Sequence, residues 1–254
     1  MSDRTASEEL FWDLAEQVSA RCPTHWPAVP GEVPASRRST GGGVGMAPLD
    51  QLPRGNKMAR IPMLSASELD PELAEMVDAD HRTPLELGNM RIYGHRPELA
   101  KAYAQFAGAM KTPGLLPRRL LELVRLRIAF HNQCRSCMAI RYADAVNDGV
   151  TEDLVCQLQA PDEATDLTDA ERAALRFADL MAADHWSIDD DTFVMLREHF
   201  SDAEVVELGM TIALCVGFGR LSMAWDMVDE LPDRFRDGAT GTVTPWGSDA
   251  IVVS

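Results

Sequence analysis

The sequence predicts an all-α fold: a helical bundle with an extended segment before it and a tail after it. Three observations carry this. Apolar residues recur at helical spacing through most of residues 61–231. Two segments open with a Ser or Thr followed three residues later by Glu, at Thr168–Glu171 and Ser201–Glu204, the signature of a capping box. No segment alternates apolar and polar residues convincingly enough to read as a strand.

The chain divides into three regions. Residues 1–60 hold one short amphipathic helix, Ser7 to about Ala20, with Leu10, Phe11, Leu14 and Val18 on one side. A stretch rich in Pro, Gly and Ser follows, Cys22 to Asn56, and is expected to be extended or flexible. Residues 61–231 form the helical domain. Helices are expected from Ser67 to about Asp80, Thr83 to Met90, Pro97 to Met110, and Arg118 to about Phe130. A short one is capped by Thr151, and others run from Thr168 to about Ala183 and from Asp189 to His199. The last is long and apolar, Val205 to about Val228, with Gly209, Gly217 and Gly219 as points of close approach or kinking. Residues 232–254 form a tail. Trp246, Ile251, Val252 and Val253 make it too apolar to hang free, so it should pack on the body or on a neighbouring subunit.

The chemistry concentrates between Pro117 and Val150. Leu120, Leu121, Leu123, Val124, Leu126 and Ile128 make Arg118–Phe130 a buried or half-buried helix, yet Glu122 stands inside that apolar pattern. His131-Asn132-Gln133 breaks the pattern. Asn132 reads as the N-cap of a second helix carrying Met138, Ile140, Ala143 and Val146 and stopping at Gly149. Cys134 and Cys137, a C-x-x-C pair, then fall in its first turn. There the unpaired N–H groups and the helix dipole favour a thiolate. Glu122 can reach the pair only if the chain folds back at residues 131–133. A carboxylate so placed is a candidate proton acceptor with a raised pKa; it is equally an ion-pair partner for Arg118, Arg119 or Arg125.

Glu122, eleven intervening residues and then Cys134-x-x-Cys137 at the head of a helix resemble the alkylhydroperoxidase D / carboxymuconolactone decarboxylase family. The similarity extends from about Leu85 to Leu231. It implies an alkylhydroperoxidase D-like helical bundle and a thiol peroxidase that needs no cofactor. Under it Cys137 attacks a hydroperoxide, Cys134 resolves the product as a disulfide, Glu122 acts as base, and a dithiol partner restores the thiols. It also implies a homo-oligomer, a trimer or hexamer. The family's relay histidine, four residues after Cys137, is Arg141 here. Arginine stays protonated and cannot relay, but one turn away it can stabilise a thiolate. His131 is the substitute relay candidate.

Composition narrows the alternatives. A formal net charge of −16 argues against nucleic acid or an anionic membrane as partner. No apolar run approaches the ~20 residues of a bilayer span. The N-terminus lacks a signal-type apolar region, so a cytoplasmic location is expected. Five scattered cysteines do not make a secreted disulfide framework; Cys156 and Cys215 read as small core residues. A zinc site would need Cys22 and His25 beside the C-x-x-C pair, a weak pattern, so no metal is expected. Two further functions remain open. One is a decarboxylase-like lyase or isomerase whose Arg141 binds a substrate carboxylate. The other is a non-catalytic redox-sensing or assembly module.

Overall fold

The computed structural model describes residues 59–111, 114–229, 231 and 250–253. The expectations for the helix at Ser7–Ala20, for the 22–56 stretch, for a Cys22–His25 ligand pair and for Trp246 lie outside them.

The helices are α1 (Pro71–Met76), α2 (Pro84–Leu87), α3 (Met90–Tyr93), α4 (Pro97–Lys111), α5 (Arg118–His131) and α6 (Arg135–Ala139). They continue as α7 (Ala143–Asn147), α8 (Glu152–Gln157), α9 (Asp169–Ala183), α10 (Asp190–Arg197) and α11 (Asp202–Trp225). Two three-residue strands, β1 (Ile140–Tyr142) and β2 (Ile251–Val253), pair in parallel, with Ile140 opposite Ile251 and Tyr142 opposite Val253. The fold is therefore all-α apart from this small ladder, which the sequence did not suggest.

Helix α5 is the centre. Leu120, Leu123, Val124, Leu126 and Ile128 are buried in it and pack on α9 through Ala174, Leu175 and Ala178, and on α11 through Leu208 and Ile212. Each such leucine contributes about 2 kcal/mol by leaving water. A smaller core, Leu69, Leu73, Ala79, Leu87 and Ala100, joins α1 and α2 to α4.

Local chemistry explains most boundaries. Thr168 and Ser201 cap α9 and α11, each accepting from the N–H of the Glu three residues on while that Glu accepts in return. Asp70 caps α1 and Pro71 opens it, so the helix expected from Ser67 begins only there, behind a 3-10 turn. The helix expected over 83–90 is split into α2 and α3 at Gly88, whose φ of +48° suits glycine. α11 stops at Asp226, in the left-handed region.

At 24 residues α11 is, among the described helices, long and apolar enough to cross a bilayer, against the expectation that no segment is. Here one side of it lies on α5 and α9. The opposite side leaves Val206, Met210 and Leu221 exposed.

Candidate functional site

The site begins with how α5 ends. The N–H of Gln133 bonds to the carbonyl of Phe130, and that of Cys134 to the carbonyl of Ala129. This is a Schellman closure with Gln133 in the left-handed position at φ 51°. A left-handed non-glycine residue costs about 1 kcal/mol; the Gln133 side chain offsets part by donating to the Phe130 carbonyl at 2.7 Å. The chain thus reverses at 131–133, and Cys134 starts a new helix beside the one just finished.

Asn132 is not the cap of that helix. It ends α5, and its amide donates to the carbonyls of Cys215 (2.9 Å) and Val216 (3.3 Å) on α11 while its oxygen accepts from Arg220. This contact needs Gly219: a Cβ there would lie 2.5 Å from the Asn132 amide nitrogen. The N-cap of α6 is Cys134 itself, whose sulfur accepts from the N–H of Cys137 at 3.4 Å.

Cys134 and Cys137 form a disulfide, with their Cα atoms 5.3 Å apart. Cys134 is fully buried and Cys137 half-buried. The helix they open does not reach Gly149. It ends at Ala139, and Ile140 enters β1. The reason lies in the carbonyls. Arg125 on α5 donates to the carbonyl of Cys137 at 2.5 Å and of Ile140 at 2.9 Å. Arg141 donates to those of Met138 and Ile140, each at 2.9 Å. Guanidinium groups satisfy the helix end that further helical turns would otherwise satisfy, and β2 takes up the ladder of β1.

Glu122 is buried at 3% exposure. Arg125 grips it with two donors, each at 2.7 Å, and the N–H of Tyr142 reaches it at 3.4 Å. Of its possible arginine partners, Arg125 is the one that takes it. Burial works against the Arg125 charge, but the Glu122 carboxylate outweighs that and holds the guanidinium more firmly protonated than usual. The guanidinium also lies over the Tyr142 ring, 5.1 Å from its centre. Tyr142 and Cys215 sit within the field of this pair. Burial pushes the Tyr142 hydroxyl above its ordinary range and the free thiol of Cys215 up to about 11.

The structure therefore brings Cys134, Cys137 and Glu122 together, through Arg125. It places the other two candidates elsewhere. His131 bonds to Asp179 of α9 at 2.8 Å, in a cluster with Arg127. Arg141 is 1% exposed and paired with Glu152 at 2.9 and 3.1 Å. Its expected place one turn beyond Cys137 does not exist, because the helix stops two residues before it. Arg125 is the residue that sequence reasoning underrated. Its spacing from Glu122 made the ion pair readable, but its hold on the disulfide turn depends on the reversal at 131–133. Among the described residues no group of metal-ligating side chains is close enough to hold an ion.

Comparison with known proteins bears on the same segment. Residues 97–180, from α4 through most of α9, match the sequence model of the carboxymuconolactone decarboxylase family. The match is confined to this segment, which is similar to that family. An uncharacterised protein of Mycobacterium tuberculosis is 33% identical over 121 residues, 47% of this chain but 43% of its own length. The chain thus spans less than half of that relative. An uncharacterised protein of Bacillus subtilis is 27% identical over 108 residues, 42% of this chain and 74% of its own. Among solved structures, an alkylhydroperoxidase core from Ralstonia eutropha, a peroxidase-related protein, superposes with a TM-score of 0.58 at 20% identity, covering 71% of this chain and 95% of its own. The debrominase Bmp8 superposes at 0.55 with 19% identity, covering 70% and 96%. At these identities the two structures show a shared fold and nothing finer.

Proposed function

We propose that the protein is a thiol-dependent oxidoreductase that reduces hydroperoxides through the Cys134–Cys137 pair. The observation that carries this reading is the unequal burial of two cysteines that already form a disulfide, placed against a charged pair in an otherwise apolar core. The charged pair lies against the disulfide turn, with the Arg125 guanidinium donating to the carbonyl of Cys137. The fold shared with a peroxidase-related protein is consistent with it.

Cys137, the more accessible sulfur, is the attacking group. As thiolate it displaces the O–O bond of a hydroperoxide, becoming a sulfenic acid while the alkoxide leaves and takes up a proton from water. The Cys134 thiol attacks that sulfur and water departs, giving the disulfide. A dithiol partner then reduces the disulfide by exchange and is itself oxidised. Neither metal nor organic cofactor enters these steps. Glu122 faces this turn through its pairing with Arg125, so its part is to set charge at the site. The lyase alternative asked Arg141 to bind a substrate carboxylate; that guanidinium is buried and occupied by Glu152.

The test is titration of the reduced protein with a hydroperoxide, following thiol loss by mass spectrometry. The reading expects loss of two thiols with a Cys134–Cys137 link, far faster than a free thiol reacts, and loss of that rate in Cys137→Ser. Oxidation no faster than free thiol in the intact protein would contradict it.

A further inference from the structure

The redox steps alone do not require Arg125, and its geometry is more constrained than an ion pair demands. Two donors hold both oxygens of Glu122, a third holds the carbonyl of Cys137, and another contact reaches Ile140. A fork fixed at four points cannot swing away. Its charge is thus locked within one residue's backbone of the Cys137 sulfur, in a place where salt screens poorly. We propose that Arg125 is the positioning residue that sets the reactivity of Cys137: its charge, balanced by Glu122, determines how readily the Cys137 thiol ionises and how oxidising the disulfide is. This rests on the redox reading of the pair, but not on a hydroperoxide being the substrate.

The other charged and titratable groups around the turn have partners of their own. Arg135 on α6 pairs with Asp226 at the end of α11. Arg141 on β1 pairs with Glu152 of α8. His131 on α5 pairs with Asp179. Tyr142, Cys215 on α11 and Tyr103 on α4 are neutral at ordinary pH, since burial pushes all three upward, Tyr103 to about 12. Arg125 and Glu122 therefore form the charged couple that belongs to this turn. The two charges act on Cys137 with opposite sign. The cation favours the thiolate and so stabilises the reduced pair; the carboxylate does the reverse.

The experiment measures Cys137 alkylation against pH in the reduced full-length protein, and the disulfide equilibrium against glutathione. The proteins are wild type, Arg125→Gln, Glu122→Gln, the double variant, Arg125→Lys and Arg141→Gln. Arg125→Gln should raise the ionisation midpoint of Cys137 by about one unit or more. It should also make the disulfide roughly tenfold less oxidising, about 30 mV. Glu122→Gln should shift both in the opposite direction, and the double variant should return close to wild type. Arg125→Lys, which keeps the charge, should stay closer to wild type than Arg125→Gln. Arg141→Gln should move the midpoint less than Arg125→Gln. Shifts of the same sign in the two single variants, or none in either, would overturn the proposal. If Arg125→Gln does not fold, the downward shift in Glu122→Gln and its reversal in the double variant still decide. Slow hydroperoxide turnover with these shifts intact would defeat the peroxidase reading and leave Arg125 in its role.

Discussion

Arg125 and Arg127 stand two residues apart on α5, roughly 200° around the helix from one another. They use the same chemistry on opposite sides. Each binds a carboxylate with two donors, and each spends a further N–H on a backbone carbonyl: Arg125 on Cys137, Arg127 on Leu158 at 2.7 Å. What differs is whom they join. Arg125 takes Glu122 from its own helix and ties α5 to the disulfide turn. Arg127 takes Asp179 from α9, with His131 as third member, and ties α5 to the body of the bundle. One side of the helix faces the disulfide of the proposed redox site and the other is a brace. The residue types do not distinguish them; the partners do.

The largest test of the contrast is to remove the brace. Arg127→Gln leaves Asp179 with His131 but without the two-donor guanidinium. Asp179 is only half-buried, so the cost should fall below the full buried-pair penalty, at about 2–3 kcal/mol. Urea unfolding should show it, while the Cys137 ionisation midpoint stays put. A loss below about 1 kcal/mol would mean that Arg127 is not the brace described.

The pH dependence of stability sharpens the same point. Burial opposes the Asp179 charge, but His131 and Arg127 outweigh it and hold the carboxyl below the usual range. A depressed carboxylate stabilises the fold above its unfolded pKa of about 3.9, and that stability fades as pH falls through the lower folded value. Asp179→Asn should lower stability at neutral pH and flatten its decline in acid. An acid decline equal to that of wild type would contradict the assignment.

A smaller effect is expected at His131. His131→Gln should cost about 1–2 kcal/mol through the lost bond to Asp179. Cys137 oxidation by hydroperoxide should keep its wild-type rate. A large drop in rate with little loss of stability would move His131 from the brace to the redox side. The smallest effect belongs to the hinge between the two ends. Gln133→Gly relieves a left-handed residue but gives up the bond to Phe130, so stability should change by less than about 1 kcal/mol.

These two sides were legible in the sequence to different degrees. The helix centred on Leu123 and Val124, the reversal after it and the caps at Thr168 and Ser201 follow from local patterns, and the structure places them within a residue or two of expectation. The Glu122–Arg125 pair was readable because three residues on a helix bring side chains together. The early end of α6 was not. Its cause is two guanidinium groups and a strand from more than a hundred residues away, Ile251–Val253. The same cause removed Arg141 from the helix face on which counting by turns had put it. His131 was singled out for its nearness to Cys134 in sequence, yet its ring reaches across to α9. Distance along the chain says little about direction once a helix ends.

The most direct test of the redox side is to trap its first product. In Cys134→Ser the sulfenic acid has no resolving partner and can be captured by a sulfenic-acid-specific reagent after one equivalent of hydroperoxide. The account predicts a single adduct, on Cys137, with Cys215 unmodified because burial holds its thiol protonated. No adduct on Cys137, or labelling of Cys215 to the same extent, would contradict it.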